Sequence, residues 1–308
     1  MNLLFFGSSS FSVPALVSLY SSISCVVTKK TRPKGRGYLL KDNEVKRMAL
    51  SLGLPVREIG SFKDEEATTL GELKPDLLVV VSFGLIIPRW FLDLPTLGAI
   101  NVHPSLLPKY RGPSPMQWAI LHGEEGTGIT VIRMNERMDA GDILYQEKVP
   151  LTPEEDAAAL SSRLALRVSE ILPPVVEEVK VKGVGYGTPQ DEREASYTPI
   201  ITKEMGHIDW SLRATEIIRQ VRALVLWPTA YTFLDGKAIK VFKVRPSHAT
   251  SSQKPDPGTI LASTPAGIEV SAGVGSLILQ EIQMENRKRM AASDFAKGYR
   301  QICAKLFT

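Results

Sequence analysis

The chain contains 308 residues, of which 44% are hydrophobic and 23% are charged, and its formal net charge is +4. These values are typical of a globular protein with a sizeable buried core, and the length favours two domains over one. No stretch of the sequence approaches the roughly 18 apolar residues that a membrane-spanning helix needs, which excludes a protein anchored by such a helix.

Two features favour a cytoplasmic location. The apolar start at residues 3–6 ends at Gly7 and has no basic segment before it, so it predicts a buried strand and not a signal peptide. Cys25 and Cys303 lie far apart and form neither a disulfide pattern nor a metal-binding spacing. We therefore expect a protein of the reducing cytoplasm with no membrane partner.

Positive charge is concentrated in two parts of the sequence. Residues 203–308 contain 15 Lys and Arg against 9 Asp and Glu, and residues 29–36 carry five positive charges and no negative one. This distribution is typical of a protein that holds a polyanion at two places. The alternative at this point is ordinary solvated surface charge.

The first 150 residues alternate short apolar runs with amphipathic stretches, which predicts a Rossmann-like α/β domain with a mostly parallel sheet. We predict strands at about 2–6, 23–28, 54–57, 76–81 and 99–102, and helices at about 13–21, 42–52 and 63–73. A further helix is expected to run from the prolines at 113–115 to His122, followed by a hairpin with strands at about 127–134 and 143–149.

Apolar residues recur every three or four positions between 153 and 182, which predicts a long helix that closes the first domain, with a kink at Pro173 and Pro174. Residues 183–207 are rich in Gly, Thr and Pro and show no periodicity, as expected of a linker. Beyond them, a helix at about 211–224 and several short strands predict a small, OB-like β-barrel. We therefore predict domains at 1–182 and 208–308 and a linker at 183–207.

One familiar motif is incomplete. Gly7 follows the first predicted strand, where a dinucleotide-binding protein shows three glycines, but residues 8–10 are all serine. No acidic residue closes the second strand near Thr28. The sequence therefore disfavours nicotinamide and flavin cofactors.

The polar residues best placed for chemistry lie at the end of the strand predicted at 99–102. Asn101 and His103 are two residues apart, so their side chains share one face at the carboxyl end of the sheet, where α/β proteins bind ligands. An amide donor can stabilise an oxyanion, and an imidazole can carry a proton, so the pair suits acyl transfer. The stretch 138–142, in the loop after the next predicted strand, supplies an acid that could orient the imidazole. The alternative is that Asn101 and His103 are structural.

Other chemistries find less support in the sequence. The remaining histidines, His122, His207 and His248, show no ligand spacing, so we expect no metal site. Ser105 lies too close to His103 in the sequence to act as its nucleophile, and no G-x-S-x-G motif is present.

Residues 101–112 (NVHPSLLPKYRG) and 138–144 (MDAGDIL) resemble the signature of the folate-dependent formyltransferases. Four further stretches extend the resemblance over nearly the whole chain: FGSSSFSVP at 6–14, PKGRG at 33–37, KEMGHIDW at 203–210 and the segment 283–298. The sequence departs from the usual pattern at residues 8–9, 82–83 and 286–287. The resemblance implies that Asn101, His103 and Asp139 are the catalytic residues.

The resemblance also implies the ligands. The formyl donor would be 10-formyltetrahydrofolate, and no metal would take part. Expected folate contacts are Phe83, Gly84, Leu85, Ile87, Ser105, Leu106, Leu107 and Pro108. Within the family, the chain is most similar to enzymes that formylate methionine carried by initiator tRNA, and Lys34, Arg36 and Arg111 are the expected tRNA contacts. We expect a monomer.

Two alternatives stay open. A related formyltransferase acting on an amino sugar nucleotide or a purine precursor needs the same catalytic residues but has no use for the basic segment 29–36. A non-catalytic tRNA-binding protein would not need Asn101, His103 and Asp139 together.

Overall fold

A computed structural model of the chain describes residues 1–31, 42–247, 255–298 and 302–308. These residues form two compact units. The first comprises Met1–Pro115, Gly126–Pro150 and Ser161–Thr198, and the second comprises Met116–Glu125, Leu151–Leu160 and Pro199–Thr308. Much of the segment predicted as a linker thus groups with the first unit, because residues up to Thr198 bond to its loops. The domain boundaries given above stay a prediction.

The first unit is built on a seven-stranded sheet. Its strands are β1 (Leu3–Gly7), β2 (Ile23–Lys29), β3 (Val56–Ile59), β4 (Leu77–Val81), β5 (Ala99–His103), β6 (Gly126–Arg133) and β7 (Ile143–Pro150). Their order is β3-β2-β1-β4-β5-β6-β7, with β1 to β5 parallel and β6 and β7 added as an antiparallel hairpin. The predicted Rossmann-like, mostly parallel sheet is therefore confirmed.

Four short helices connect the parallel strands: α1 (Val13–Leu19), α2 (Glu44–Ser51), α3 (Glu65–Thr68) and α4 (Arg89–Leu92). Every residue of β1 and β4 is buried, as their continuous apolar runs require of strands in a parallel sheet. Helix α2 begins where the Asn43 side chain accepts a hydrogen bond from the Lys46 backbone, at 2.9 Å. Helix α4 was not predicted, because a single turn carries no periodicity.

Two longer helices follow. Helix α5 (Pro115–His122) lies where the sequence predicted it, and α6 (Ala157–Lys182) continues through Pro173 and Pro174. The predicted apolar face of α6 is buried along its length, at Leu160, Leu164, Val168, Ile171, Val175 and Val179.

The second unit contains helix α7 (Ala214–Leu224) and an antiparallel sheet. The strands are β8 (Ala230–Leu234), β9 (Lys237–Pro246), β10 (Ile260–Thr264), β11 (Gly267–Ser271), β12 (Ser276–Met284) and β13 (Met290–Ala291), and α8 (Ala292–Lys297) follows them. The strand order is β10-β11-β12-β9-β8, and β13 pairs with β12.

The last residues of the chain close this sheet. On one edge, Ile260 exchanges backbone hydrogen bonds of 2.9 Å with Ala304 and Lys305. On the other edge, Phe233 and Thr308 exchange two, at 2.7 and 3.0 Å. The two edge strands are therefore both paired, which gives the predicted barrel. Among the described residues, no helix has the length and apolar character needed to cross a bilayer.

Candidate active site

The strand order places a ligand-binding edge beside β5. The chain moves from β1 to β2 and β3 on one side and to β4 and β5 on the other, so the connections diverge at the carboxyl ends of β1 and β4. Crevices at such points are where open α/β sheets bind ligands. The end of β5 adjoins the end of β4, since Asn101 is paired with Val80.

The structure brings Asn101, His103 and Asp139 together. Asp139 lies in the loop between β6 and β7. Its Oδ1 accepts a hydrogen bond from Asn101 Nδ2 at 3.3 Å, and its Oδ2 lies 3.5 Å from His103 Nδ1. The Gly112 backbone N–H donates to the same Oδ2 at 2.8 Å. One carboxylate therefore contacts both polar side chains of β5 and is itself fixed by the loop that follows β5.

The two ring nitrogens of His103 face different partners. The ring is buried, and its Nε2 lies 2.8 Å from the Tyr110 carbonyl oxygen. A carbonyl can only accept, so Nε2 carries a hydrogen and donates it. The other ring nitrogen, Nδ1, faces the carboxylate of Asp139. The Nε2 hydrogen is therefore held by the backbone carbonyl, and Nδ1 is the ring nitrogen that lies beside the carboxylate.

The loop after β5 is fixed by internal hydrogen bonds. Ser105 Oγ donates to the Lys109 carbonyl at 2.7 Å, so its hydroxyl is engaged in the turn. Thr130 Oγ1 donates to the Ser105 carbonyl at 2.6 Å and accepts from the Leu107 backbone N–H at 3.2 Å. The Leu107–Pro108 peptide bond is cis. Ser105 and Leu107 are buried, so these expected folate positions shape the loop from within.

Leu106 lies against a glycine of β6. A Cβ at Gly128 would overlap the Leu106 side chain. The close approach of this loop to the sheet therefore requires glycine at that position.

The expected folate positions after β4 combine two buried side chains with an exposed glycine. Phe83 and Ile87 are buried, and Phe83 packs edge-on against Phe6 with 5.1 Å between ring centroids. Gly84 has φ +74°, and its carbonyl accepts from Lys29 Nζ at 3.3 Å. Within the described part of the chain, the backbone N–H groups of residues 83–87 make no hydrogen bond. Leu85 is half-buried beside Gly84.

Arg111 is placed differently from our expectation. Its side chain is 0% exposed, and the guanidinium donates to Gln190, Glu192 and Tyr197 at 2.8–3.1 Å. Although burial pulls its pKa down, the hydrogen bonds to Glu192 and Tyr197 raise the pKa of Arg111 above its usual value. This buried, fully engaged cation is unsuited to the tRNA contact predicted for it, and its bonds indicate a positioning role.

The structure does not test two other expectations. Lys34 and Arg36, the remaining expected tRNA contacts, lie outside the described residues. Across the described ranges, no three His, Cys, Asp or Glu side chains cluster as metal ligands would, and the absence of a metal stays a prediction.

The sequence did not indicate Gln190, which bonds to Asp139 and Arg111. It lies in the segment predicted as a linker, and its partners are 51 and 79 residues away. No local sequence pattern identifies Gln190, because its contacts with the two motif stretches form only in the folded chain.

A Rossmann-like sheet with a polar site at its carboxyl edge defines an α/β protein with a candidate ligand-binding edge. Comparison with known proteins identifies the family. Residues 4–176 match the formyl transferase family, and residues 200–300 match the formyl transferase C-terminal domain.

Similarity to individual proteins supports the same family. The chain is 41% identical to the methionyl-tRNA formyltransferase of Syntrophus aciditrophicus over 97% of its own length and 96% of that protein. It is 40% identical to the protein of the same name from Citrifermentans bemidjiense, over 97% and 94% of the two chains. Among solved structures, the sugar 3N-formyl transferase WlaRD shares the fold, with a TM-score of 0.67 at 19% identity over 94% of this chain and 99% of that one. The chain belongs to the formyl transferase family.

Proposed function

We propose that this protein transfers the formyl group of 10-formyltetrahydrofolate to the α-amino group of methionine carried by initiator tRNA, as a monomer in the cytoplasm. The observation that carries the proposal is the contact of Asn101 and His103 with the Asp139 carboxylate at the end of β5. The choice of acceptor is supported by the extended similarity to proteins named methionyl-tRNA formyltransferase. The choice of donor is supported by WlaRD, whose structure was determined in the presence of 5-N-formyl-THF.

The chemistry needs no activated nucleophile. An α-amine has a pKa near about 8, so a useful fraction is neutral at pH 7 and can attack the formyl carbon. A C–N bond forms to the amine, the C–N bond to the folate breaks, and one proton passes from the attacking nitrogen to the leaving nitrogen. The protein must stabilise the oxyanion of the tetrahedral intermediate and move that proton.

The site offers a group for each task. Asn101 Nδ2 has two hydrogens, and the one that bonds Asp139 leaves the other for the oxyanion. His103 adds positive charge beside that oxygen when its Nδ1 is protonated. Asp139 orients His103 and takes part in proton transfer through water. The folate would lie along residues 83–87 and 105–108, where backbone groups recognise it.

The second unit has a surface suited to RNA. The Arg289 guanidinium carbon lies 4.0 Å from the centroid of the Phe242 ring, on a face that also exposes Lys240. Beside it, the rings of His207 and Tyr231 pack with 5.4 Å between centroids. Positive charges next to aromatic faces are the groups that bind phosphates and stack on bases. This face would add to the contacts proposed for Lys34 and Arg36.

The decisive assay measures formyl transfer from the folate to methionyl initiator tRNA and, in parallel, to an amino sugar nucleotide. We expect transfer to the tRNA only, and a fall in turnover of about 10²–10³ in Asn101→Ala, the usual effect of losing one oxyanion donor. The matched control is Asn135→Ala, an exposed residue whose side chain accepts a hydrogen bond from the nearby Arg137 backbone. Preferred transfer to the sugar, or full turnover in folded Asn101→Ala, would refute the proposal.

The salt dependence of KM for the tRNA tests the proposed tRNA contacts. Phosphate contacts release counterions, so Lys34→Ala and Arg36→Ala should raise KM for the tRNA and flatten its salt dependence, with Arg36 the larger effect because its guanidinium binds phosphate in bidentate fashion. KM for the folate should not change. The control is Arg193→Ala, whose side chain is 88% exposed and pairs with Asp191. Unchanged tRNA kinetics in Arg36→Ala would remove the basic segment from recognition.

A further inference from the structure

A short stretch of chain binds both loops that carry the polar residues of the site. We name residues 188–198 the clamp segment. Its Thr188 exchanges backbone hydrogen bonds of 2.8 and 2.9 Å with Ile143, at the start of β7. At the other end of the clamp segment, the Ser196 carbonyl accepts from the Arg111 backbone N–H, and the Thr198 backbone N–H donates to the Arg111 carbonyl, both at 2.8 Å. The clamp segment thereby joins the loop after β5 to the loop before β7.

One side chain of the clamp segment connects these loops directly. Gln190 Nε2 donates to the carbonyl oxygens of Asp139 and Gly141, at 2.9 and 2.7 Å. Its Oε1 accepts from Nε and Nη2 of Arg111, at 3.1 and 2.8 Å. The carboxamide therefore uses both of its donor hydrogens and both of its acceptor lone pairs, and only an amide offers this combination.

The loop that contains Asp139 needs such support. Asp139 has φ +49°, a left-handed conformation that costs an L-residue free energy. Two residues later, a Cβ at Gly141 would overlap the carbonyl of Arg133, so the loop lies close against β6. The two carbonyls that flank this turn are the two that Gln190 bonds.

We infer that Gln190 is a positioning residue for the formyl transfer: it fixes the backbone of Asp139 so that the carboxylate stays in contact with Asn101 and His103. Arg111 supports Gln190 from behind by fixing the orientation of its amide. This inference rests on the proposed function, because it assigns to Asp139 a part in the reaction.

The test uses Gln190→Glu, which keeps the acceptor for Arg111 and removes both donors to the Asp139 loop. We expect kcat to fall about 10²-fold, the scale of a misplaced catalytic group, while KM for folate and for tRNA changes less than about twofold. Gln190→Ala should show the same loss. The control Tyr197→Phe removes a neighbouring hydrogen bond to Arg111 but leaves Gln190 in place, so its kcat should match the wild type.

A double variant separates positioning from a general effect on folding. In an Asp139→Ala background, Gln190→Glu should reduce kcat by less than about twofold further, since groups that act as a unit are not additive. Independent multiplication of the two losses would overturn the inference, and so would a normal kcat in Gln190→Glu beside a severe loss in Asp139→Ala. Full activity of Asp139→Ala would instead overturn the proposed role of Asp139, and the inference with it.

Discussion

Replacement of Arg111 by methionine should destabilise the first unit. The substitution keeps an unbranched side chain of similar length and removes the buried guanidinium with all of its hydrogen bonds. Two of these bonds reach Gln190 Oε1, which would lose both of its donors. The other partners, Glu192 and Tyr197, are largely exposed and can bond water instead.

The expected magnitude follows from the bonds that water cannot replace. Hydrogen bonds to charged groups contribute about 1.5–3 kcal/mol each, so the two to Gln190 together set a scale of about 3 kcal/mol at the lower end. Methionine needs no desolvation of a charge, which offsets part of this loss. We expect a net decrease of about 2–4 kcal/mol in the free energy of unfolding.

Calorimetry can measure this effect as a shift in the melting transition of the first unit. For a unit of this size, about 2–4 kcal/mol corresponds to a fall in Tm of about 5–15 °C. The matched control is Arg137→Met, because Arg137 pairs with the same carboxylate of Glu192 at 3.0 Å but its side chain is 60% exposed. Its effect should stay within about 0.5 kcal/mol. Equal effects of the two substitutions would show that the burial of Arg111 does not govern its contribution.

Two further predictions concern stability. The hydrogen bonds from Arg167 and Tyr145 lower the pKa of Glu147 from 4.5 to about 2. Glu147→Gln should therefore lower the free energy of unfolding by about 1 kcal/mol at pH 7, after allowance for solvent screening. The difference between variant and wild type should disappear as pH falls from about 4.5 towards 2, because the carboxylate is then protonated. Equal differences in urea unfolding at pH 7 and pH 3 would contradict this prediction. Phe307 is buried and stacks on Trp210 at 5.7 Å, so Phe307→Ala should destabilise the second unit by about 3–5 kcal/mol, measured by tryptophan fluorescence. A cost below 1 kcal/mol would mean that closure of the barrel does not depend on this ring.

Local periodicity was sufficient to predict the sheet and the shared strand face of Asn101 and His103. Alternation with a period of two places both side chains on one face of β5, and the parallel arrangement places them at the carboxyl edge. Continuous apolar runs predicted β1 and β4 because both faces of these strands are covered. These features depend on neighbouring residues only, which is why a single sequence contains them.

Closure of the barrel and burial of Arg111 depend on partners that are distant in the sequence. Phe233 pairs with Thr308, and Arg111 bonds to Gln190 and Glu192, at separations of about 75 to 81 residues. An arginine in a polar loop gives the same local signal whether it faces solvent or a buried acceptor. The resemblance identified Arg111 as important, but its chemistry could be read only from the contacts of the folded chain.

Residues 183–207, which include the clamp segment, were predicted as a linker from their composition. Gly, Thr and Pro without periodicity indicate irregular backbone, and irregular backbone need not be unattached. Tyr110 and Asp139, whose backbone groups bond to the clamp segment, have positive φ angles of 63° and 49°. Each such conformation costs an L-residue roughly 1–2 kcal/mol and persists only where surrounding bonds determine it. The hydrogen bonds from residues 188–198 fulfil that requirement, so an irregular segment is the natural partner of a site whose own backbone departs from regular structure.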